Sequence, residues 1–345
     1  MRRFVCGLLI ALCLSAPAAV FAESPRADRL VITLAGDCTI GSEGRYVNSK
    51  NSFVQVVAEM GFAWPFSGVI DLFGNDDLTI VNLEGTFTDA RRAQEKRFTF
   101  RAPPEYADVL TLGSVEAVNL ANNHTLDFFE RGMLDTKQAL DERGIAYCSH
   151  NEPTVVEIKG TRIALLGLSY PLLKNKMSQL CEQIAAFRAQ PDIDLIIVNF
   201  HWGYENDYRQ SRDQIAGARQ VIDSGADLVV GTHPHVLQGI EVYNGAPIFY
   251  SLGNFSFGGN SMPRDLDTAV MQVEYDISGE GKPALVRLEV FPYLVTERPL
   301  RRVQDYRPIP ATDPADIARI MKKLSWGTAG LPEDFFETGL WLIEN

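Results

Sequence analysis

The chain has 345 residues, 44 acidic against 32 basic, and a formal net charge of −12. This excess argues against a nucleic-acid partner held by counterion release and against a surface that clings to anionic lipid. It leaves an anionic substrate open, because a bound metal supplies its own positive charge.

Arg2-Arg3, an apolar run from Phe4 to Leu14 and the small residues up to Ala22 read as a secretory signal at 1–22, followed by a short leader at 23–29. The expectation is an exported protein, periplasmic or extracellular, with no strong membrane association once the signal is cut; anchoring by an uncleaved signal is the alternative. Cleavage removes two arginines and takes the charge from −12 to −14. It also leaves Cys38, Cys148 and Cys181, too few for a disulfide framework, with one bridge between Cys148 and Cys181 open. Cys38 reads as a small buried strand residue.

Apolar runs then recur at Leu30–Ala35, Leu78–Leu83, Ala117–Leu120, Ile163–Leu168, Leu195–Phe200, Leu228–Val230 and Ile248–Ser251. Between them, Glu130–Glu142, Met177–Arg188 and Arg212–Ser224 have helical period. Strand alternating with helix predicts an α/β protein with a mainly parallel sheet covered on both faces. Thr268–Tyr275 and Ala284–Val290, separated by Gly279-Glu280-Gly281, predict an antiparallel hairpin. A Pro-rich stretch and a helix near Ala315–Leu324 follow, so that one domain at 30–292 carries a packed tail at 293–345.

The ends of these strands carry the chemistry. Asp37, Glu84, the Asn122-Asn123-His124 segment, His201 and His233-Pro234-His235 each follow a separate candidate strand. Two carboxylates, an amide and several imidazoles make an oxygen and nitrogen donor set suited to Mn, Zn, Fe or Co, unlike an all-oxygen calcium site. Between alternate histidines a proline and a bend can turn the two rings toward neighbouring ions. Singly, Asp37 could accept backbone hydrogen bonds in a loop and Glu84 could pair with an arginine; together the residues point to a metal site at the carboxyl edge of the sheet.

The segments Asn119–Asp127, His201-Trp202-Gly203 with Glu205, Gly225-Ala226-Asp227, Gly231–His235, Tyr250–Phe255 and Phe100–Pro103 resemble the CapA family of poly-γ-glutamate capsule biosynthesis proteins. That family resembles the calcineurin-like metallophosphoesterases, which implies a two-sheet αββα sandwich and one or two divalent metals (Mn, Zn or Fe). Carried over by position, the resemblance implies Asp37 and His235 on the first metal, Asn123, His201 and His233 on the second, and Glu84 bridging. His124 would be the catalytic proton donor or a cationic clamp. Where the phosphoesterases have Asp-x-His, this chain has Asp37-Cys38-Thr39, which implies a weaker first site.

Arg101 either binds a substrate anion or ties down its loop. Asp127 either caps the next helix or holds the loop of His124, and Glu205 is placed to support His201. Arg91–Arg97 reads as a solvated loop that could steer a polyanion, His150 as a surface loop residue, Trp202 as a core aromatic, and Gly253-Asn254 as a turn below the site. The resemblance implies a hydrolase in which a metal-activated hydroxide attacks an amide or phosphate ester, its partner an anionic polymer such as poly-γ-glutamate. Two alternatives stand beside it: a non-catalytic accessory that binds nascent polymer alongside capsule synthase components, and a calcineurin-like phosphoesterase.

Overall fold

The computed structural model describes residues 27–170, 172–279, 281–297 and 304–343. The signal segment, and all but the last three residues of the leader, lie outside the described residues. Among those described, no helix is long and apolar enough to cross a membrane.

Two large sheets face each other. One is centred on Arg29–Thr39, with Leu78–Leu83, Ala117–Asn119 and Ala146–Cys148 successively parallel on one side. The other side holds the hairpin of Asp267–Asp276 and Ala284–Leu294, antiparallel to it. The second sheet runs Thr161–Ser169, Leu195–His201, Leu228–Thr232 and Ala246–Phe249, all parallel, with antiparallel edges at Thr154–Ile158 and Ile240–Tyr243. The mainly parallel expectation therefore holds for the centres of both sheets, and the expected antiparallel hairpin flanks the first; at the edges of the second sheet, Thr154–Ile158 and Ile240–Tyr243 form tight hairpins in place of helical crossovers.

Period-2 alternation explains the layering. Ile32, Leu34, Ile80, Leu165, Ile197 and Val230 point between the sheets into one shared core. Their neighbours Val81, Val118, Leu166, Val198 and Val229 point outward and are covered by helices, so the central strands are apolar on both faces. Leu173–Arg188 and Arg212–Asp223 cover the second sheet through Leu180, Ile184, Ala218 and Val221. The latter helix starts where it does because Ser211 and Gln214 form a reciprocal capping box. Phe53–Met60, Asp108–Leu112 and Phe129–Asp141 cover the first sheet through Val57, Leu110 and Leu140. The result is a helix, sheet, sheet, helix sandwich.

The tail packs onto this sandwich. Helix Pro314–Leu324 inserts Ile320, Met321 and Leu324 into the inter-sheet core, and its Arg319 and Lys323 pair with Asp267 at 2.5 and 2.6 Å.

All three described cysteines are free. A bridge between Cys148 and Cys181 is ruled out by topology, because Cys148 lies in the inter-sheet core whereas Cys181 packs on the outer face of the second sheet.

Candidate metal centre

The carboxyl ends of both sheets' parallel strands meet at one edge. Strand Arg29–Thr39 shifts register between Leu34 and Asp37, and this irregularity aims Asp37 into the gap. Gly36 permits the approach, since a Cβ there would lie 2.0 Å from the carbonyl oxygen of Gly253, the group that accepts from the Asp37 amide at 2.8 Å. Glu84 follows Leu78–Leu83, Asn123 and His124 follow Ala117–Asn119, and His201 ends its strand. His233 and His235 occupy the left-handed region, with φ of 97° and 58°. For residues with a Cβ this is strained backbone, which structures retain where neighbouring contacts dictate it. Here the His233 amide donates to Asp37 Oδ2 at 3.1 Å and the Pro234 carbonyl accepts from Asn206 at 2.8 Å.

Two donor groups result, each with its ligand atoms within 4.8 Å of one another: Asp37, Glu84 and His235, and Glu84, His201 and His233. Glu84 belongs to both. Asn123 Oδ1 lies 2.8 Å from His201 Nε2, which is 3.0 Å from His233 Nδ1. His235 Nδ1 is 3.3 Å from Asp37 Oδ2. The rings of His233 and His235 stand 5.9 Å apart at 57°, turned toward different groups.

The electrostatics fit a cation. Burial, with the charge of His235, pulls His201 to about 4 and His233 to about 3, leaving both neutral and able to ligate at pH 7. Burial opposes the charge on His235, but Glu84 and Asp37 outweigh it and push this imidazole up to about 10. Burial would likewise raise Asp37, yet the hydrogen bond and charge of His235, with the His233 amide, hold it at about 2. Asp37 and His235 thus form an ion pair, and Glu84, 3.9 Å from the same imidazole, is a second carboxylate on one positive charge. It is fully buried, burial raises its pKa, and neither carboxylate oxygen has a hydrogen-bond partner. A surplus buried carboxylate shared by two donor groups is what divalent ions would neutralise. Thr39 Oγ1, two residues beyond Asp37, is also buried without a hydrogen-bond partner.

His124 stands beside this cluster. Its Nε2 lies 3.7 Å from Glu84 Oε1, its Nδ1 is held 2.7 Å from Asp127 Oδ2, and the Phe100 ring lies 4.4 Å from it. Asp127 therefore contacts the histidine directly. It caps no helix, since the next one begins at Phe129 without a side-chain cap. Glu205 is exposed and acts on His201 through charge. The Arg101 guanidinium donates to the carbonyls of Ala90 at 2.8 Å and Thr88 at 3.4 Å, and lies over Phe128.

Two sequence expectations need correction. His150 is half-buried, bridges to Gly167 and meets Ser169 at 3.1 Å, beside the strand that ends in His201, instead of lying in a surface loop. Asn254 does more than shape a turn, since its Oδ1 lies 2.9 Å from His235 Nδ1. Trp202 is a core aromatic, stacked on Phe200 and donating to the Tyr250 carbonyl at 3.0 Å.

Sequence reasoning missed Asn82. Its amide nitrogen lies 2.8 Å from Asp37 Oδ1 and 3.2 Å from His201 Nδ1, while its Oδ1 accepts from Asn119 at 2.9 Å and Asn122 at 3.3 Å. The signal was available in the strand period, because a residue two before Glu84 projects to the same face.

Residues 31–259 match the family model described as bacterial capsule synthesis protein PGA_cap. The chain is 32% identical to the PGA biosynthesis protein CapA of Bacillus subtilis over 78% of its own length and 75% of that protein. It is 30% identical to the capsule biosynthesis protein CapA of Bacillus anthracis over 88% and 74%. A probable polyglutamine synthesis accessory protein of Mycobacterium tuberculosis is 26% identical over 75% and 79%. The chain belongs to the PGA_cap family of bacterial capsule synthesis proteins.

Proposed function

We propose that this protein is an exported, metal-dependent hydrolase that acts on the amide bonds of an anionic glutamate polymer in capsule metabolism. The observation that carries the reading is the pairing of two donor groups through Glu84 with a histidine held beside them. The names of the relatives support a polyglutamate role, and the donor chemistry supports divalent metal.

Asp37, Glu84 and His235 would hold one ion, and Glu84, His201, His233 and Asn123 a second. When bound, such ions supply Lewis acidity and lower the pKa of water. The protein's own part is positioning and proton transfer. Asp127 fixes the His124 ring through Nδ1, so that Nε2 faces the cluster and can deliver a proton to a departing amine. Phe100 against the ring limits its rotation and excludes water from one face.

A second reading, a polymer-binding accessory without turnover, draws support from Thr39 standing where a further ligand is expected. The experiment compares hydrolysis of poly-γ-glutamate and of a generic phosphodiester by the mature protein loaded with Mn or Zn. We expect polymer cleavage that His124→Ala lowers by roughly a hundredfold or more while metal content persists, and that His233→Ala loses together with metal. Polymer binding with metal present and no turnover would replace the hydrolase with the accessory reading; cleavage of the phosphodiester alone would replace the amide with an ester.

A further inference from the structure

In a chain of net charge −12, Arg45, Arg91, Lys96, Arg97 and Arg101 line a single cleft of about 610 Å³, with Glu43 the acidic residue in its lining among the described residues. Clustered like charges repel and are retained at a cost unless something compensates them. Arg45 pairs with Glu43, and Lys96 with Asp127. The other three have no carboxylate partner among the described residues. Arg101 is held by two carbonyls and the Phe128 ring, which fix its guanidinium and leave its charge uncompensated. Arg97 lies over the Phe98 ring at 4.9 Å, and Arg91 is exposed.

The cleft shares a wall with the metal centre. Lys96 Nζ donates to the carbonyl of Asn123 at 2.8 Å, and the Asn123 side chain reaches His201. The carboxylate that Lys96 pairs with is the one that holds His124. One residue before Arg101, the Phe100 ring lies against His124.

We propose that this cleft is a polyanion subsite that grips carboxylates of the polymer on one side of the bond presented to His124. The proposal rests on the polyglutamate reading above. Each γ-linked glutamate unit keeps a free carboxylate, and a guanidinium donates two parallel N–H bonds from its planar fork to the two carboxylate oxygens. Binding energy from units outside the reacting bond then fixes that bond's position.

The test is equilibrium binding of fluorescently labelled poly-γ-glutamate to the metal-loaded mature protein at low and high salt, with inorganic polyphosphate as a parallel probe. The variants are Arg91→Gln/Arg97→Gln, its lysine counterpart, and His124→Ala. We expect the wild type to bind the carboxylate polymer with salt-sensitive affinity. The glutamine variant should bind roughly tenfold more weakly or worse, with a flatter salt response and unchanged metal content and melting temperature, and the lysine variant should recover part of the loss. Unchanged binding by the glutamine variant, or binding of polyphosphate without poly-γ-glutamate, would overturn the subsite. His124→Ala separates the two proposals. Binding retained there and lost in the arginine variant upholds the cleft even if no hydrolysis is found, whereas turnover with binding indifferent to both arginines removes the cleft and leaves the hydrolase.

Discussion

Replacing Glu84 by glutamine should change stability in opposite directions with and without metal. In the metal-free protein Asp37 and His235 compensate each other at 3.3 Å, and Asn82 and the His233 amide add hydrogen bonds to Asp37. Glu84 contributes a buried carboxylate with two unpartnered oxygens. A buried unpartnered polar group costs about 1–3 kcal/mol and a charged one more; an amide of the same shape stays unpartnered but removes the charge, recovering on the order of 1–3 kcal/mol. A chain of 345 residues shifts by about 1–2 °C per kcal/mol, so the metal-free variant should melt roughly 1–6 °C above the metal-free wild type. Metal reverses the order. A ligand present at about a thousand times its dissociation constant stabilises by about 4.1 kcal/mol, more than that gain, and the variant should forfeit most of this because Glu84 belongs to both donor groups. Scanning calorimetry with chelator and with added Mn, together with elemental analysis, reads both effects. A variant that melts lower than wild type in chelator while retaining full metal content would refute the assignment of Glu84 as a surplus charge awaiting cations.

Asn82→Ala should weaken metal retention by about 10–100-fold, the usual effect of losing a group that orients ligands, because it removes contacts to Asp37 and His201 at once; dialysis against graded chelator measures it, and unaltered retention counts against the role. Asp76, remote from this site and bonded to Thr79 at 2.6 Å, is pushed by burial up to about 7 from 3.8. Its folded pKa lies above the unfolded one, so its favourable contribution is complete below about pH 4 and is lost as pH rises through 7. Asp76→Asn should therefore stabilise the protein at pH 8, by at most about 4 kcal/mol, and flatten the rise in stability toward acid. Identical denaturation profiles for variant and wild type across this range would exclude the effect.

The strands were legible because central strands buried on two faces must be apolar throughout, as Leu195–Phe200 is, and because a polar residue ending such a run stands out. Helices such as Arg212–Asp223 were legible through their period and cap. The antiparallel flanks were harder to see, since pairing partners such as Arg29–Thr39 and Asp267–Asp276 are far apart in the chain and local pattern carries no partner. At the site, the imidazoles and carboxylates announced themselves by chemistry. The asparagines did not: Asn82 and Asn254 look like ordinary strand and turn residues until folding places them against Asp37 and His235. His150 misled for the same reason, its burial coming from a neighbouring strand and not from its own segment. The cleft arginines are scattered from Arg45 to Arg101, and only the fold gathers them.

The donors divide between the two sheets, with Asp37, Glu84 and Asn123 on one and His201, His233 and His235 on the other. An ion held among them would act as a clasp between layers, tying together positions 37 and 235 across most of the chain. Neither layer offers a complete set alone, so the clasp can close only after both have formed and docked. Metal bound this way belongs to the last stage of folding, and its influence should fall on the rate at which the finished molecule comes apart, leaving the rate of its assembly nearly untouched.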